Sequence, residues 1–453
     1  MLIRSRREFL RDAIRTVSAA GALGAMSKFG EINAFAAGSS YQALVCIFMT
    51  GGNDGHNTVI PINTVQQGFK LYQSGRAGMG LAQNSLLPIY NGNDEYGLHP
   101  SLPEIQSLYN AGHAAVLANV GMLVQPMNRT LYNTNNSSII PNALFSHSDQ
   151  ASQWQSSIPT GLGNTGWGGR MADLLQSSNA GSTFPSMTSM SGSSLFLTGQ
   201  QTFAANVPGG SATLLNTVNP ARAGGLQQLL TFDNGLQLVQ QANDTMGRGN
   251  SYANALSAAL AGSTLETQFP LIGSDGSPNL LATQLQTVAR IIKVRSTLGL
   301  SRQIFYCNID GFDTHGGQLA IQASLLQQLS QAVLAFYKAT QELGVDQDVT
   351  TFTASEFGRT LTPNGSGGTD HAWGNHHFVI GSAVKGGQFF GQFPLLTLGG
   401  NYDATTRGSL IPTTAVDQYG ATMANWFGVG AANMATIFPN IGNFPTSNLG
   451  ILS

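Results

Sequence analysis

Short, unbroken apolar runs, each closed by glycine or by a polar cluster, constrain this chain more than any other feature. Ala43–Met49 reads Ala-Leu-Val-Cys-Ile-Phe-Met and stops at Gly51-Gly52. A strand with no polar side must be buried on both faces, which is the habit of strands in a parallel sheet. The segments 114–120, 304–309, 349–353 and 378–381 read in the same way. Helical spacing fills the intervals. It predicts helices over 101–110, with Pro103 near the start, over 167–175, and through Leu281, Leu285, Val288 and Ile292. A longer one runs through Leu325, Leu329, Ala332 and Phe336 with Gly344 as its terminator, and another covers 416–427. Strands alternating with helices of this length predict an α/β fold, a three-layer α/β/α sandwich with a mostly parallel central sheet. The stretch 178–268 is rich in Ser, Asn, Gln and Gly and reads as a less regular insertion, with a strand at 194–198 and a helix at 226–241.

Charged residues make up 9% of the chain, against roughly 25% in average soluble proteins. Solubility therefore rests on Ser, Thr, Asn, Gln and Gly, a surface that suits proteins outside the cytoplasm. A net charge of −2 gives no electrostatic footprint for nucleic acid or for an anionic membrane. The N-terminus fits the same picture. Ser5-Arg6-Arg7-Glu8-Phe9-Leu10 precedes a mild Ala/Gly-rich stretch over 13–26, and Ala34-Phe35-Ala36 follows as a cleavage site. Residues 1–36 read as a twin-arginine signal. That makes the twin-arginine translocase the expected export partner and the periplasm or the exterior the expected destination. The apolar stretch falls short of the about 20 residues a membrane helix needs, and no stable membrane insertion is expected from any later run. Cys46 and Cys307 each sit in an apolar strand, so a bridge requires those strands to be neighbours.

In open α/β sheets, ligands bind beyond the carboxyl ends of the strands. Polar clusters fall there repeatedly. Gly51-Gly52-Asn53-Asp54-Gly55-His56 follows the first run, and Asp310-Gly311-Phe312-Asp313-Thr314-His315 follows the 304–309 run. Ser355-Glu356-Phe357-Gly358-Arg359 follows the 349–353 run, and Asp370-His371 through His376-His377 precedes the 378–381 run. The chain has eight histidines, and five of them, His56, His315, His371, His376 and His377, lie in these loops. Carboxylates and imidazoles converging from several loops suit a divalent cation, with Zn, Mn, Ca or Mg all open. Taken singly, Asp54 could cap a turn and Glu356 could pair with Arg359. Ser146-His147-Ser148-Asp149 sets hydroxyls beside an imidazole and a carboxylate, where a helix N-terminus could activate a nucleophile or simply be capped. Arg129 in Pro126-Met-Asn-Arg129 and Arg170 in Gly166-Trp-Gly-Gly-Arg170, the latter among glycines in a chain with few charges, are candidate oxyanion or phosphate clamps.

The ordered set Gly51-Gly-Asn-Asp-Gly55, Leu98-His99-Pro100, Ser146-His147, Gly166-Trp167, Gly311-Phe-Asp-Thr-His315, Ser355-Glu-Phe-Gly-Arg-Thr360 and Asp370-His-Ala-Trp-Gly374 resembles the bacterial family called domain of unknown function 1501. That family is similar in fold to the alkaline phosphatase and sulfatase superfamily. The resemblance implies a Ser nucleophile between divalent metals acting on phosphate or sulfate esters, small or on an extracellular polymer. Carried over, it makes Ser146 the nucleophile position, with Ser148 in reserve, Asp54 the first carboxylate ligand, and Asp313 and His315 the mid-chain ligand pair. Glu356 stands where a further ligand is expected, and Asp370-His371 or His376 is left to supply the remaining imidazole; His147 and Arg170, from the residue reading, complete the catalytic candidates. The family plan expects an imidazole after Glu356, where this chain has Phe357. A non-catalytic binding or assembly protein on the same scaffold is the alternative, and a metal-free serine hydrolase a third reading. The latter lacks a Gly-x-Ser-x-Gly elbow at Ser146.

Overall fold

The computed structural model describes residues 41–62, 68–92, 94–207, 220–232, 235–273 and 275–453. The segment 1–36, expected from the sequence to be a twin-arginine signal, lies outside the described residues. The strands are β1 Gln42–Met49, β2 Val59–Pro61, β3 Leu87–Asn91, β4 Asp94–Leu98, β5 Ala114–Gly121, β6 Met187–Ser189, β7 Ala205–Asn206, β8 Arg302–Ile309, β9 Val349–Ala354, β10 Asn375–Ile380, β11 Phe389–Phe390 and β12 Thr414–Ala415. The principal helices are α1 Gly55–Thr58, α2 Gly68–Arg76, α3 Pro103–Asn110, α4 His147–Ser156, α5 Trp167–Leu174, α6 Pro220–Leu230, α7 Gln237–Leu260, α8 Leu280–Lys293, α9 Gln318–Glu342 and α10 Val416–Trp426.

The central sheet runs β11-β5-β10-β9-β1-β8-β6-β7, with β12 beside β5. β1 lies parallel between β8 and β9, whereas β10 runs against both of its neighbours. The fold is thus α/β with a mixed, mostly parallel sheet. On one face Leu44, Cys46 and Phe48 pack with Trp154, Trp167, Tyr419 and Phe438 in a single buried cluster. α3 packs on β5 and α8 on β8, and α9 packs against both helices. Burying each such large side chain contributes on the order of 1.5–3 kcal/mol, so β1, buried on both faces, anchors the layers.

The register settles the cysteines. Cys46 stands opposite Tyr306, and Cys307 opposite Ile47. Successive residues of a strand face opposite sides, so the two thiols project from opposite faces and both are free.

Several expectations are corrected. Segment 194–198 is a 3-10 turn, Leu195–Leu197, rather than a strand. The helix expected over 226–241 is two helices, α6 and α7, with Gly235 at φ +78° between them. A separate antiparallel sheet, β2-β4-β3, lies outside the sequence reading: β2 has three residues, and β3 (Leu-Pro-Ile-Tyr-Asn) and β4 (Asp-Glu-Tyr-Gly-Leu) carry no continuous apolar run. α9 is long and apolar enough to cross a membrane by length and composition, contrary to the sequence reading. Here Leu326, Leu329, Val333 and Phe336 bury its inner side. His376 and His377 belong to β10 itself rather than to the loop before it, and both are buried. A bulge between Asn375 and His377 and a left-handed Asn119 (φ +48°) in β5 accommodate them.

Candidate metal centre

β1 ends in a turn that only glycine can make. Gly51 and Gly52 have φ of +113° and +81°, and a Cβ on either would strike the Asp313 backbone or the Phe357 ring. This close approach brings the loops after β1, β8 and β9 together. The Gly51 N–H donates to Glu356 Oε1 (2.7 Å), and Arg359 donates to the Gly51 and Gly52 carbonyls (2.6 and 2.9 Å).

Asp313 is the hub. Its Oδ1 accepts from Arg359 and lies 3.1 Å from His315 Nε2, 3.2 Å from His371 Nε2 and 3.4 Å from His147 Nε2. His315 Nε2 and His371 Nε2 are themselves 2.9 Å apart. One ligand atom each from His147, Asp313 and His371 lies within 4.8 Å of the others. Behind each imidazole stands an acceptor on Nδ1. His147 Nδ1 faces Glu356 Oε1 (3.0 Å), His315 Nδ1 faces Asp370 Oδ1 (3.3 Å), and His371 Nδ1 faces the Phe145 carbonyl (2.7 Å). Carboxylate and carbonyl oxygens only accept, so these contacts place a proton on each Nδ1. In the neutral rings the Nε2 lone pairs then converge on a carboxylate oxygen and on one another. Lone pairs meeting in this way repel, and His147 Nε2 is buried with no hydrogen-bond partner among the described residues. A cation resolves the conflict, and imidazoles backed by carboxylate or carbonyl are the arrangement that orients metal-binding histidines. The residues present fit one divalent cation held by His147, Asp313 and His371, with His315 Nε2 beside them 3.1 Å from Asp313 Oδ1.

The charges around the cluster act in different directions on its members. Burial disfavours the charge of Asp313, but the Arg359 hydrogen bond and charge hold its carboxyl below the usual range. The Glu356 hydrogen bond outweighs burial at His147 and raises its pKa. Burial, with the charges of His147 and Arg359, lowers that of His371. Phe357, buried where the resemblance called for an imidazole, packs its ring 4.8 Å from His147 and 4.7 Å from His371. It therefore walls the site. Phe145, which offers its carbonyl to His371, has φ +72°, a strained conformation for a bulky residue. Its N–H is held by Gln150 Oε1 (2.5 Å).

The remaining candidates lie elsewhere or play other parts. Asp54 does not meet the cluster. It caps α1 through the His56 N–H (3.1 Å) and is sealed in a buried ion pair with Arg76, with Gln318 donating to its other oxygen. Glu356 and Asp370 stand behind imidazoles, and Glu356 faces His147 rather than pairing with Arg359. His376 is spent inside the sheet, where Nδ1 accepts the Asn119 N–H (3.1 Å) and the ring stacks on Phe393 at 4.7 Å. Burial lowers its pKa to about 3. Arg170 clamps no anion. Its guanidinium donates to the carbonyls of Ser156 (2.6 Å), Thr165 (2.8 Å) and Ile437 (2.5 Å), tying α5 to the end of α4. Arg129 likewise donates to the Asp403 carbonyl (2.6 Å). Ser146 precedes α4, and its hydroxyl donates to Asp149 Oδ2 (2.5 Å). His147, expected beside the nucleophile, joins the metal group instead.

Two arginines escaped the sequence reading. Arg76 sits in Gly75-Arg76-Ala77-Gly78, a small-residue setting like that of Arg170. Arg407, whose Nη1 donates to Asp370 Oδ2 (2.5 Å), comes from a turn that carries no other signal.

Comparison with solved structures gives distant likenesses. The lipoteichoic acid synthase LtaP from Listeria monocytogenes is 9% identical with a TM-score of 0.36, covering 90% of this chain and 76% of that one. The PsFucS1 sulfatase from Pseudoalteromonas sp. is 9% identical with a TM-score of 0.34, covering 88% and 70%. The zinc complex of the C-terminal periplasmic domain of EcEptC from Escherichia coli is 9% identical with a TM-score of 0.34, covering 87% and 84%. The metal group rests on its own geometry and draws nothing from these. No match was found among curated proteins. A family model does match residues 41–415, which hold every residue of the cluster, and the chain belongs to the family described as protein of unknown function DUF1501.

Proposed function

We propose that this chain is a hydrolase of phosphate or sulfate esters that works with one divalent cation. The observation that carries the reading is the convergence of three imidazole Nε2 atoms on Asp313 Oδ1, each ring fixed from behind through Nδ1. A cation bound there would act as a Lewis acid on an ester oxygen. The chain's own residues supply the rest. Ser146, next to His147, is the nucleophile: its Oγ attacks the phosphorus or sulfur and the ester oxygen leaves. Asp149, already hydrogen-bonded to that hydroxyl, takes its proton. Water then cleaves the seryl ester and restores the hydroxyl. Phe357 and the sealed loop after β1 keep bulk water from one side of the imidazoles.

Metal analysis and hydrolysis of p-nitrophenyl phosphate and p-nitrophenyl sulfate test this directly. The expected result is about one equivalent of metal in the wild type, lost with activity in His371→Ala, and metal kept but activity lost in Ser146→Ala. Protein free of metal and indifferent to chelator sinks the proposal. The sealed Asp54–Arg76 pair favours a second reading, a binding protein on a scaffold with no room for two metals. Metal binding without turnover of any ester would support that one.

We also propose export by the twin-arginine route, carried by Arg6-Arg7 and the Ala34-Phe35-Ala36 site. Arg6→Lys with Arg7→Lys should leave the unprocessed protein in the cytoplasm. Normal export of that variant overturns the proposal.

A further inference from the structure

Two arginines touch the carboxylates of the metal centre, and they differ in what they have left to give. The Arg359 side chain is fully buried, and its donors go to the carbonyls of Gly51, Gly52 and Thr369 and to Asp313. With no exposed surface it is closed to a ligand from solvent. The Arg407 side chain is 41% exposed. Among the described residues its one close contact is Nη1 to Asp370 Oδ2 at 2.5 Å. Its Nη2 lies at the long limit of hydrogen bonding from the carbonyls of Thr362 (3.5 Å) and Pro363 (3.4 Å).

The turn that carries Arg407 is rigid. Asp403, buried, accepts from the N–H groups of Gly399, Thr405 and Ser409. Thr406 and Gly408, on either side of Arg407, both have positive φ (+70° and +75°). The guanidinium is therefore delivered to one place. Its partner Asp370 is 36% exposed on the side chain and uses the other oxygen, Oδ1, to hold His315 Nδ1. A chain of three contacts runs from solvent to the cluster: Arg407 to Asp370, Asp370 to His315, and His315 Nε2 to Asp313.

We propose that Arg407 is the specificity residue for a negatively charged substrate, and that it reads this charge by giving up Asp370. This inference rests on the metal-site reading above. An exposed arginine–carboxylate pair contributes little by itself, so an oxyanion with matching fork geometry can displace the carboxylate at small cost. Once released, Asp370 places its full charge behind His315, and a carboxylate behind a ligating imidazole raises its basicity toward metal. Anion and cation then bind with positive coupling, which by linkage acts equally in both directions. Substrates with a second anionic group near the ester, such as sulfated or phosphorylated saccharides, fit this arrangement.

The test compares the full-length wild type with Arg407→Gln and Arg407→Lys. Zn2+ affinity is measured by competition with a chromogenic chelator in chloride, and again with inorganic sulfate or phosphate at equal ionic strength. A residue that merely braces the site would weaken Zn2+ binding when removed. The proposal expects the reverse. Arg407→Gln frees Asp370 permanently, so its affinity in chloride rises about tenfold, inside the range that groups behind metal ligands command. The added effect of the anion falls to less than about a third of its wild-type size. Arg407→Lys keeps the charge and stays near wild type in chloride, with a weaker anion response. If Arg407→Gln binds Zn2+ no tighter than wild type, or responds to the anions equally, the proposal is wrong while the metal site stands. If the wild type binds no Zn2+, the metal-site reading fails, and this inference with it.

Discussion

Asp54 and Asp313 follow neighbouring parallel strands at the same end of the sheet, and both meet an arginine. Asp54 is closed on every side: Arg76 and Gln318 satisfy its oxygens, and its side chain and that of Arg76 are wholly buried. Asp313 is 46% exposed on the side chain and faces three imidazole nitrogens in addition to Arg359. In the first site the charges balance and both carboxylate oxygens are answered, with Arg76 Nε alone left without a partner among the described residues, which makes structure. In the second, lone pairs exceed the protons available to them, which makes a ligand set. The identity of the acid and its place in the fold are alike, so the difference lies wholly in what surrounds it.

The largest expected effect breaks the sealed pair. Arg76→Met strands a buried carboxylate and should cost about 3–5 kcal/mol in urea unfolding, with Asp54→Asn in the same chain recovering much of it. Loss of metal in place of loss of stability would make Asp54 a ligand after all. Next, Asp313→Asn and His371→Ala should each lower Zn2+ affinity by about a hundredfold or more, while metal-free stability moves by less than about 1 kcal/mol. An unfolded variant would erase the contrast between the two aspartates.

A third carboxylate sharpens the comparison. Asp417 is as buried as Asp54, but no guanidinium bonds to it. Ser157 Oγ donates to it (2.9 Å), while Arg170 spends its donors on carbonyls. Burial accordingly raises its pKa to about 7. A carboxyl raised in the fold stays protonated while the unfolded chain ionises. Its contribution to stability is fully present below about pH 4 and is lost as pH rises toward 7. Asp417→Asn should remove this slope and stabilise the protein at pH 8 by about 2–3 kcal/mol. A slope unchanged in the variant would show that Asp417 does not titrate there. The smallest expected effect is Glu356→Gln. Glutamine can still accept from Gly51 N–H and His147 Nδ1 but carries no charge. Zn2+ affinity should fall about tenfold with stability little changed, and no change would mean the charge behind His147 is idle.

The sheet was legible because its strands are continuous apolar runs, and the polar loops at their ends could be placed from that alone. Within the loops, residue type was not enough. His376 and His377 read as site residues because imidazoles are polar, yet a bulge buries both within β10. Asp54 read as a ligand because nothing local shows Arg76 arriving from the following helix. His147 was assigned beside a nucleophile because its approach to Asp313 depends on the left-handed backbone at Phe145, which no side-chain pattern announces. Arg170 looked free because its acceptors are backbone carbonyls, invisible in a list of side chains.

The cluster draws its groups from residues 147, 313, 315 and 371, so its halves are separated by more than a third of the chain. No fragment short of the assembled sheet presents them together, and the unfolded chain has no comparable site. By mass action, a cation that binds only the completed form stabilises it in proportion to RT ln(1 + [M]/Kd), about 2.7 kcal/mol at a hundredfold excess over Kd. Metal supply would then govern how much of the population survives proteases and heat, so the thermal midpoint should climb with free metal concentration and drop in chelator.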